Sequence, residues 1–279
     1  MNPSPDDFAV RSGRSPVAID RMLRLARPFL RWVFRAEVTG LEKIPAGSYV
    51  FIANHNIGAL WEILALLETW QEHARGREIF GLAHPLAFRI PALGWLTRRM
   101  GSVPATYETA RAALSSGASL MIFPGGNHEA VRPFWRRHRC DFGGHRGWAR
   151  IAITNRRAVV PISIVGSHGM NPILWQSRIL VKLLLLPWWL GMSSFPVSVS
   201  QIVLAAGVFA LFAKTWPLAL ALAWVTFVFT PLTACWPAKL RIRIHSPIAA
   251  GTDVDRLYDA VTETIQQGMD DIRRPRAES

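Results

Sequence analysis

Short apolar runs and longer stretches of helical spacing alternate through the middle of this 279-residue chain. SYVFIAN (48–54), EIFGLA (78–83), ASLMIFP (118–124) and AVVPISIV (158–165) are short and almost continuously apolar, which predicts strands buried on both faces. Between them, GALWEILALLETWQEHA (58–74), ATYETARAALSSG (105–117) and GGHRGWARIAITNR (143–156) have helical spacing. This alternation predicts an α/β fold with a mostly parallel central sheet flanked by helices. KLRIRIHSPI (239–248) reads as one more strand, and residues 253–274 as a closing amphipathic helix capped by Asp253 or Thr252.

The ends and one long interruption break the pattern. Residues 1–16 read as a disordered tail. Residues 17–36 form a basic amphipathic helix: Arg21, Arg24, Arg27, Arg31 and Arg35 recur every three or four positions, opposite Met22, Leu23, Ala26, Phe29, Leu30 and Val33. Pro28 predicts a kink in it. Such a helix suits an anionic membrane surface; the alternative is a helix packed on its own domain with solvated arginines. Segments 37–172 and 239–274 are expected to form one α/β domain, split by a hydrophobic membrane insertion at 173–238. Two stretches of the insertion approach the roughly 20 residues that a bilayer requires. A helical hairpin with Lys214-Thr215-Trp216-Pro217 at its tip keeps the lysine out of hydrocarbon and returns the chain to the sheet. Whether 195–236 spans or dips into the bilayer stays open, as does a pair of buried helices in a soluble protein.

Charge narrows the partners. Lysines and arginines outnumber acids 32 to 19, for a net charge of +13, which points to a polyanion. Joined to so much apolar sequence, it favours membrane lipids over nucleic acid. The opening residues lack a signal-peptide core, and the cations flanking the insertion outnumber Lys214. The domain is therefore expected on the cytoplasmic face of the inner membrane, integral or deeply embedded. Two cysteines, Cys140 and Cys235, make neither a disulfide framework nor a metal motif.

Candidate chemistry sits at strand ends. His55 follows one strand and precedes a helix, where functional groups gather in open α/β sheets. An imidazole there can take a proton from a hydroxyl near neutral pH. Glu62 is its expected carboxylate partner if Gly58 makes a turn and the helix starts near Ala59 or Leu60; otherwise it is a first-turn acid complementing the helix dipole. Phe123-Pro124-Gly125-Gly126 follows a second strand, and adjacent glycines let backbone approach a ligand closely. Arg132, Arg136, Arg137, Arg139, Arg146 and Arg150, opposed by Asp141 alone, suit phosphates of a headgroup or carrier, or form a membrane-facing surface without a specific ligand.

In order, ANHNIGALWE, GSVPATYETARAALSSG, IFPGGNHEA and AVVPISIVG resemble the sequence blocks of the lysophospholipid and glycerolipid acyltransferase family. The spacing and the Pro-Gly-Gly loop look closer to its diacylglycerol-acyltransferase-related branch. The resemblance implies an acyltransferase domain over 37–172 and 239–274. It implies an acyl thioester, acyl-CoA or acyl-ACP, as donor, with no bound cofactor and no metal. His55 would be the general base and Glu62 its partner. Asn54, Gly58, Phe123, Pro124, Gly125, Gly126, Asn127, His128, Glu129 and Arg132 would bind substrate, with backbone donors of the Gly125-Gly126 loop steadying the oxyanion. The chain departs from the family at three points: Glu replaces the usual Asp, the second block lacks its arginine, and no acid follows Pro124. These leave the acceptor open among lysophospholipids, diacylglycerol and other lipid alcohols. They also admit a non-catalytic membrane-binding relative.

Overall fold

The computed structural model describes residues 8, 11–56, 59–74, 76–89, 91–189, 192–230 and 236–274. All four expected apolar runs are strands of one seven-stranded sheet, ordered β1-β9-β6-β2-β5-β3-β4. Those runs give β2 (Val50–Ala53), β3 (Ile79–Ala83), β5 (Ser119–Ile122) and β6 (Val159–Val165). The remaining strands are β1 (Glu37–Thr39), β4 (Ser102–Pro104) and β9 (Arg241–Ile244). The expected α/β fold, mostly parallel and flanked by helices, is therefore what forms. The exception to parallel pairing is β6 with β9 (Ile162 opposite Ile244), and β9 in turn carries β1 parallel to itself.

Every residue of β2 is buried, because both faces are covered. Phe51 and Ala53 join the core under α1 (Pro16–Pro28) and α2 (Ala59–His73). Val50 and Ile52 face the opposite layer, made by α4 (Tyr107–Ser115), α6 (Gly147–Thr154) and α12 (Val254–Arg273). Between β3 and β4 runs α3 (Pro91–Arg99). The short α5 (Gly126–Ala130) opens straight from the Pro-Gly-Gly loop, and α7 (Ser167–Met170) follows β6. Asp253 caps α12 through its carboxylate.

The N-terminal helix differs from the expectation. Its apolar stripe, Ile19, Leu23, Ala26 and Leu30, is buried in its own domain, and Arg27 pairs with Glu68 of α2 at 3.0 Å. Burial of this stripe against the sheet is the stronger use of it, so Val17, Leu25, Phe29 and Trp32 are the large apolar groups left exposed. After Pro28 the helix widens into a π turn over Phe29–Val33, consistent with proline disturbing the regular ladder. The expected tail is also partly tied down. Phe8 meets Phe80 edge-on at 5.0 Å, Arg14 pairs with Glu78, and the Ser15 hydroxyl accepts the Ala18 N–H. Residues 1–7 and 9–10 lie outside the described residues.

Within 173–238 the chain first makes an antiparallel ribbon, β7 (Ile173–Ser177) with β8 (Phe195–Ser198), enclosing α8 (Arg178–Leu183) and α9 (Leu186–Trp189). Then come α10 (Val199–Leu211) and α11 (Trp216–Phe229), joined by a turn at Ala213–Thr215 that contains Lys214. Among the described residues no single helix is long and apolar enough to cross a membrane; the two together pass by length and composition, bent by 84° at the break. At about 1.5 Å per residue each is roughly 20 Å long, against a hydrocarbon core of roughly 30 Å. The strand β8 shortens the first expected stretch. Residues 231–235 lie outside the described residues.

Candidate active site

The strand order β6-β2-β5 brings three carboxyl ends together. Each delivers one part of the site: His55 after β2, Pro124-Gly125-Gly126 after β5, and Ser167-His168 after β6. Asn54 fixes where His55 begins. Its side chain accepts the Ile164 N–H at 2.8 Å and donates to the Ile164 carbonyl at 2.9 Å, extending the β2–β6 ladder by one residue. The expected substrate contact of Asn54 is thus replaced by a backbone clamp.

His55 is 8% exposed. Its ring lies against Phe123, with centroids 5.1 Å apart. Nδ1 is buried without a hydrogen bond, and the acid beside it is Glu129, with Oε2 at 3.5 Å. The same oxygen accepts the His55 backbone N–H at 3.3 Å. Glu129 is fully buried, and its other oxygen accepts from Arg132 Nη2 at 2.5 Å.

Glu62 sits in the first turn of α2, as the sequence predicts, and α2 begins at Ala59. Gly58, the expected turn residue, lies outside the described residues. The Glu62 carboxyl forms no ion-pair contact with His55. It is fully buried and makes no complete hydrogen bond, with Ser167 and the Asn56 backbone beside it. Burial pushes its pKa up to about 8; Ser167 pulls it back, Glu129 pushes further, and Asn56 pulls it back. Near neutral pH it is therefore mostly a neutral acid, which departs from the expected ionised partner. His168, after β6, is held neutral: burial takes its pKa down to about 3, with Arg132 and His55 acting in the same direction. The signal for Ser167 and His168 was their place directly after a strand that neighbours β2.

The glycine loop is shaped by Glu129. A Cβ at Gly125 would run first into the Glu129 Cβ, then into Oε2 at 2.5 Å and Cδ at 2.9 Å. Gly126 has φ +48°, open space around it, and its N–H turned toward the Phe123 carbonyl at 3.4 Å, so that N–H is not directed at an oxyanion. Asn127, expected on substrate, instead ties the loop to the insertion, donating to Ser193 Oγ at 2.7 Å and to Ser194. His128 meets Asp141 at 3.1 Å.

Three cavities adjoin these groups, one of them lined by Phe123, Pro124 and Gly126 of the loop with His84, Tyr107 and Trp148. An apolar one lies between the sheet and α2, lined by Phe51, Leu66, Leu67, Trp70, Met121 and Phe123 among others. A smaller polar pocket is lined by His128, Arg132, Pro133, Arg136, Arg139, Asp141 and Gln176, the last from β7. Two other cluster arginines have partners elsewhere: Arg137 lies over Phe134, and Arg146 pairs with Asp255 of α12. Asp141 is therefore not their sole acidic neighbour.

A parallel-rich α/β sheet that gathers a histidine, a buried acid and a glycine loop at adjoining strand ends is the frame of an acyl-transfer domain. Residues 35–165, just under half of the chain, match the family model described as Acyltransferase, which supports an acyltransferase domain in that segment. It is similar to an uncharacterized protein of Mycobacterium leprae (strain TN), 30% identical over 257 residues, covering 88% of this chain and 63% of the relative. An uncharacterized protein of Mycobacterium tuberculosis (strain ATCC 25618 / H37Rv) is 31% identical over 261 residues, 88% of this chain and 64% of the relative. The chain thus spans just under two thirds of the length of these relatives. No solved structure matches it.

Proposed function

We infer that this chain moves a fatty acyl group from an acyl thioester, on coenzyme A or acyl carrier protein, to the hydroxyl of a lysophospholipid or related glycerolipid. The observation that carries the reading is the His55 ring, with a buried acid beside Nδ1 and in contact with Phe123, a residue that also lines the apolar cavity. An acyl chain in that cavity brings its thioester carbonyl to the imidazole. His55 Nε2 takes the acceptor hydroxyl proton, the oxygen bonds to the carbonyl carbon, and the carbon–sulfur bond breaks. The thiolate leaves and the imidazolium returns the proton to it, so the products are an ester and a free thiol. Arg136 and Arg139 in the polar pocket suit a phosphate of donor or acceptor.

The reaction is at a lipid surface. Nine of the twelve tryptophans stand exposed, among them Trp32, Trp188, Trp189 and Trp216, and tryptophan concentrates at membrane–water interfaces. With the bent apolar helix pair, they support a protein embedded in the cytoplasmic face of the inner membrane. Membrane lipids and the thioester are its partners, with neither nucleic acid nor a resident cofactor. The buried neutral Glu62 favours a second reading, a non-catalytic lipid-binding relative.

The test uses purified protein in phosphatidylcholine vesicles with palmitoyl-CoA and lysophosphatidate, following thiol release and ester formation. Substituting His55→Ala is expected to slow transfer by roughly 10²–10⁴-fold while leaving vesicle binding intact. Equal rates from the two proteins reject His55 as the base, and lipid binding without turnover by the wild type favours the second reading.

A further inference from the structure

We propose that Glu129, rather than Glu62, is the positioning carboxylate of His55. The inference rests on the acyl-transfer reading and assigns the acid within it. Two contacts converge on one oxygen. Glu129 Oε2 holds the His55 backbone N–H at 3.3 Å and lies 3.5 Å from Nδ1, so it orients both the main chain and the ring. Nδ1 is otherwise a buried ring nitrogen without a hydrogen bond.

The carboxylate is built to stay in place. It is fully buried, and a buried carboxylate needs a counter-charge and hydrogen bonds. Arg132, itself 6% exposed, supplies them from one turn along at 2.5 Å. With Nδ1–H directed at Glu129, the lone pair of Nε2 is free to take the acceptor proton. Glu62 lacks the contact and, near neutral pH, most of the charge.

The experiment compares full-length wild type, Glu129→Gln, Glu62→Gln and His55→Ala, each labelled with ¹⁵N-histidine. Two quantities are read: transfer from palmitoyl-CoA to lysophosphatidate in vesicles, and the Nδ1–H proton signal of His55. Glu129→Gln is expected to lower kcat by about tenfold or more with KM little changed, and to remove or strongly displace the Nδ1–H signal. Glu62→Gln is expected to lose less of both. In the wild type alone, where no variant need fold, the His55 ring should show cross-relaxation to the Glu129 methylenes and not to those of Glu62. The proposal is overturned if Glu129→Gln keeps wild-type kcat and the signal, if Glu62→Gln loses more than Glu129→Gln, or if the ring's contact is to Glu62. Wild-type rates from His55→Ala would remove the acyl-transfer reading itself, while the proton signal still decides which acid holds the ring.

Discussion

Two buried groups beside His55 pull the stability of the fold in opposite directions with pH. Glu62 has its folded pKa raised to about 8 from an ordinary 4.5 by burial, opposed by Ser167. Its folded form therefore holds a proton that the unfolded chain has already released, and its contribution to stability fades as pH rises between those values. His168 is depressed from 6.5 to about 3, first by burial. Between those values the unfolded chain binds the extra proton, so stability rises with pH. The two slopes offset between about pH 4.5 and 6.5, and above 6.5 Glu62 acts alone. Thermal melting of the wild type is expected to fall from pH 6.5 to 8, and Glu62→Gln to flatten that fall; an unchanged slope in the variant would remove Glu62 as its source. At this scale the sequence carried His55 well, because an Asn-His pair ending an apolar run is a distinctive signal. It did not carry the contact between His55 and Glu129. Glu129 lies 74 residues from His55 along the chain, and what joins them is the adjacency of β2 and β5 plus one turn of α5. Asn54 was misread for a related reason: a polar residue at a strand end looks like a ligand until its amide is seen on the Ile164 backbone.

Elements were legible where apolar runs were long enough to show a period. The four central strands and α2, α4, α6 and α12 follow the pattern closely, and β9 rejoins the sheet as expected. The strands β1 and β4 were not legible, since each has three residues and a polar start, Glu37 and Ser102. Inside the insertion, the β7–β8 ribbon was hidden by surroundings so apolar that composition masked the alternation of a strand. That ribbon matters, because Gln176 lines the polar pocket and Ser193 and Ser194 hold Asn127 of the glycine loop. The exposed tryptophans of α9 and α11 predict how this region meets lipid. If each transfers roughly 100 Å² to the bilayer at about 25 cal/mol per Å², each contributes about 2.5 kcal/mol. Replacing Trp188, Trp189 and Trp216 together by serine is therefore expected to weaken vesicle binding at least about tenfold in a flotation assay. Unchanged binding would assign membrane contact to another face.

As a whole, the molecule joins a segment matching the Acyltransferase family model to an apolar stretch whose first strand contributes Gln176 to the wall of a basic pocket. On the proposed function, the apolar cavity takes the acyl chain and the arginines take a phosphate of donor or acceptor, a division of labour suited to a chain that is both +13 and half apolar. The most direct measurement is mass spectrometry of lipids after purified protein in vesicles is given isotopically labelled palmitoyl-CoA and a mixture of lysophospholipids and diacylglycerol. The account predicts a labelled ester lipid from the wild type and at least about 10²-fold less from His55→Ala. Labelled product at equal rates from both proteins, or none from the wild type under conditions where it binds the vesicles, would contradict it.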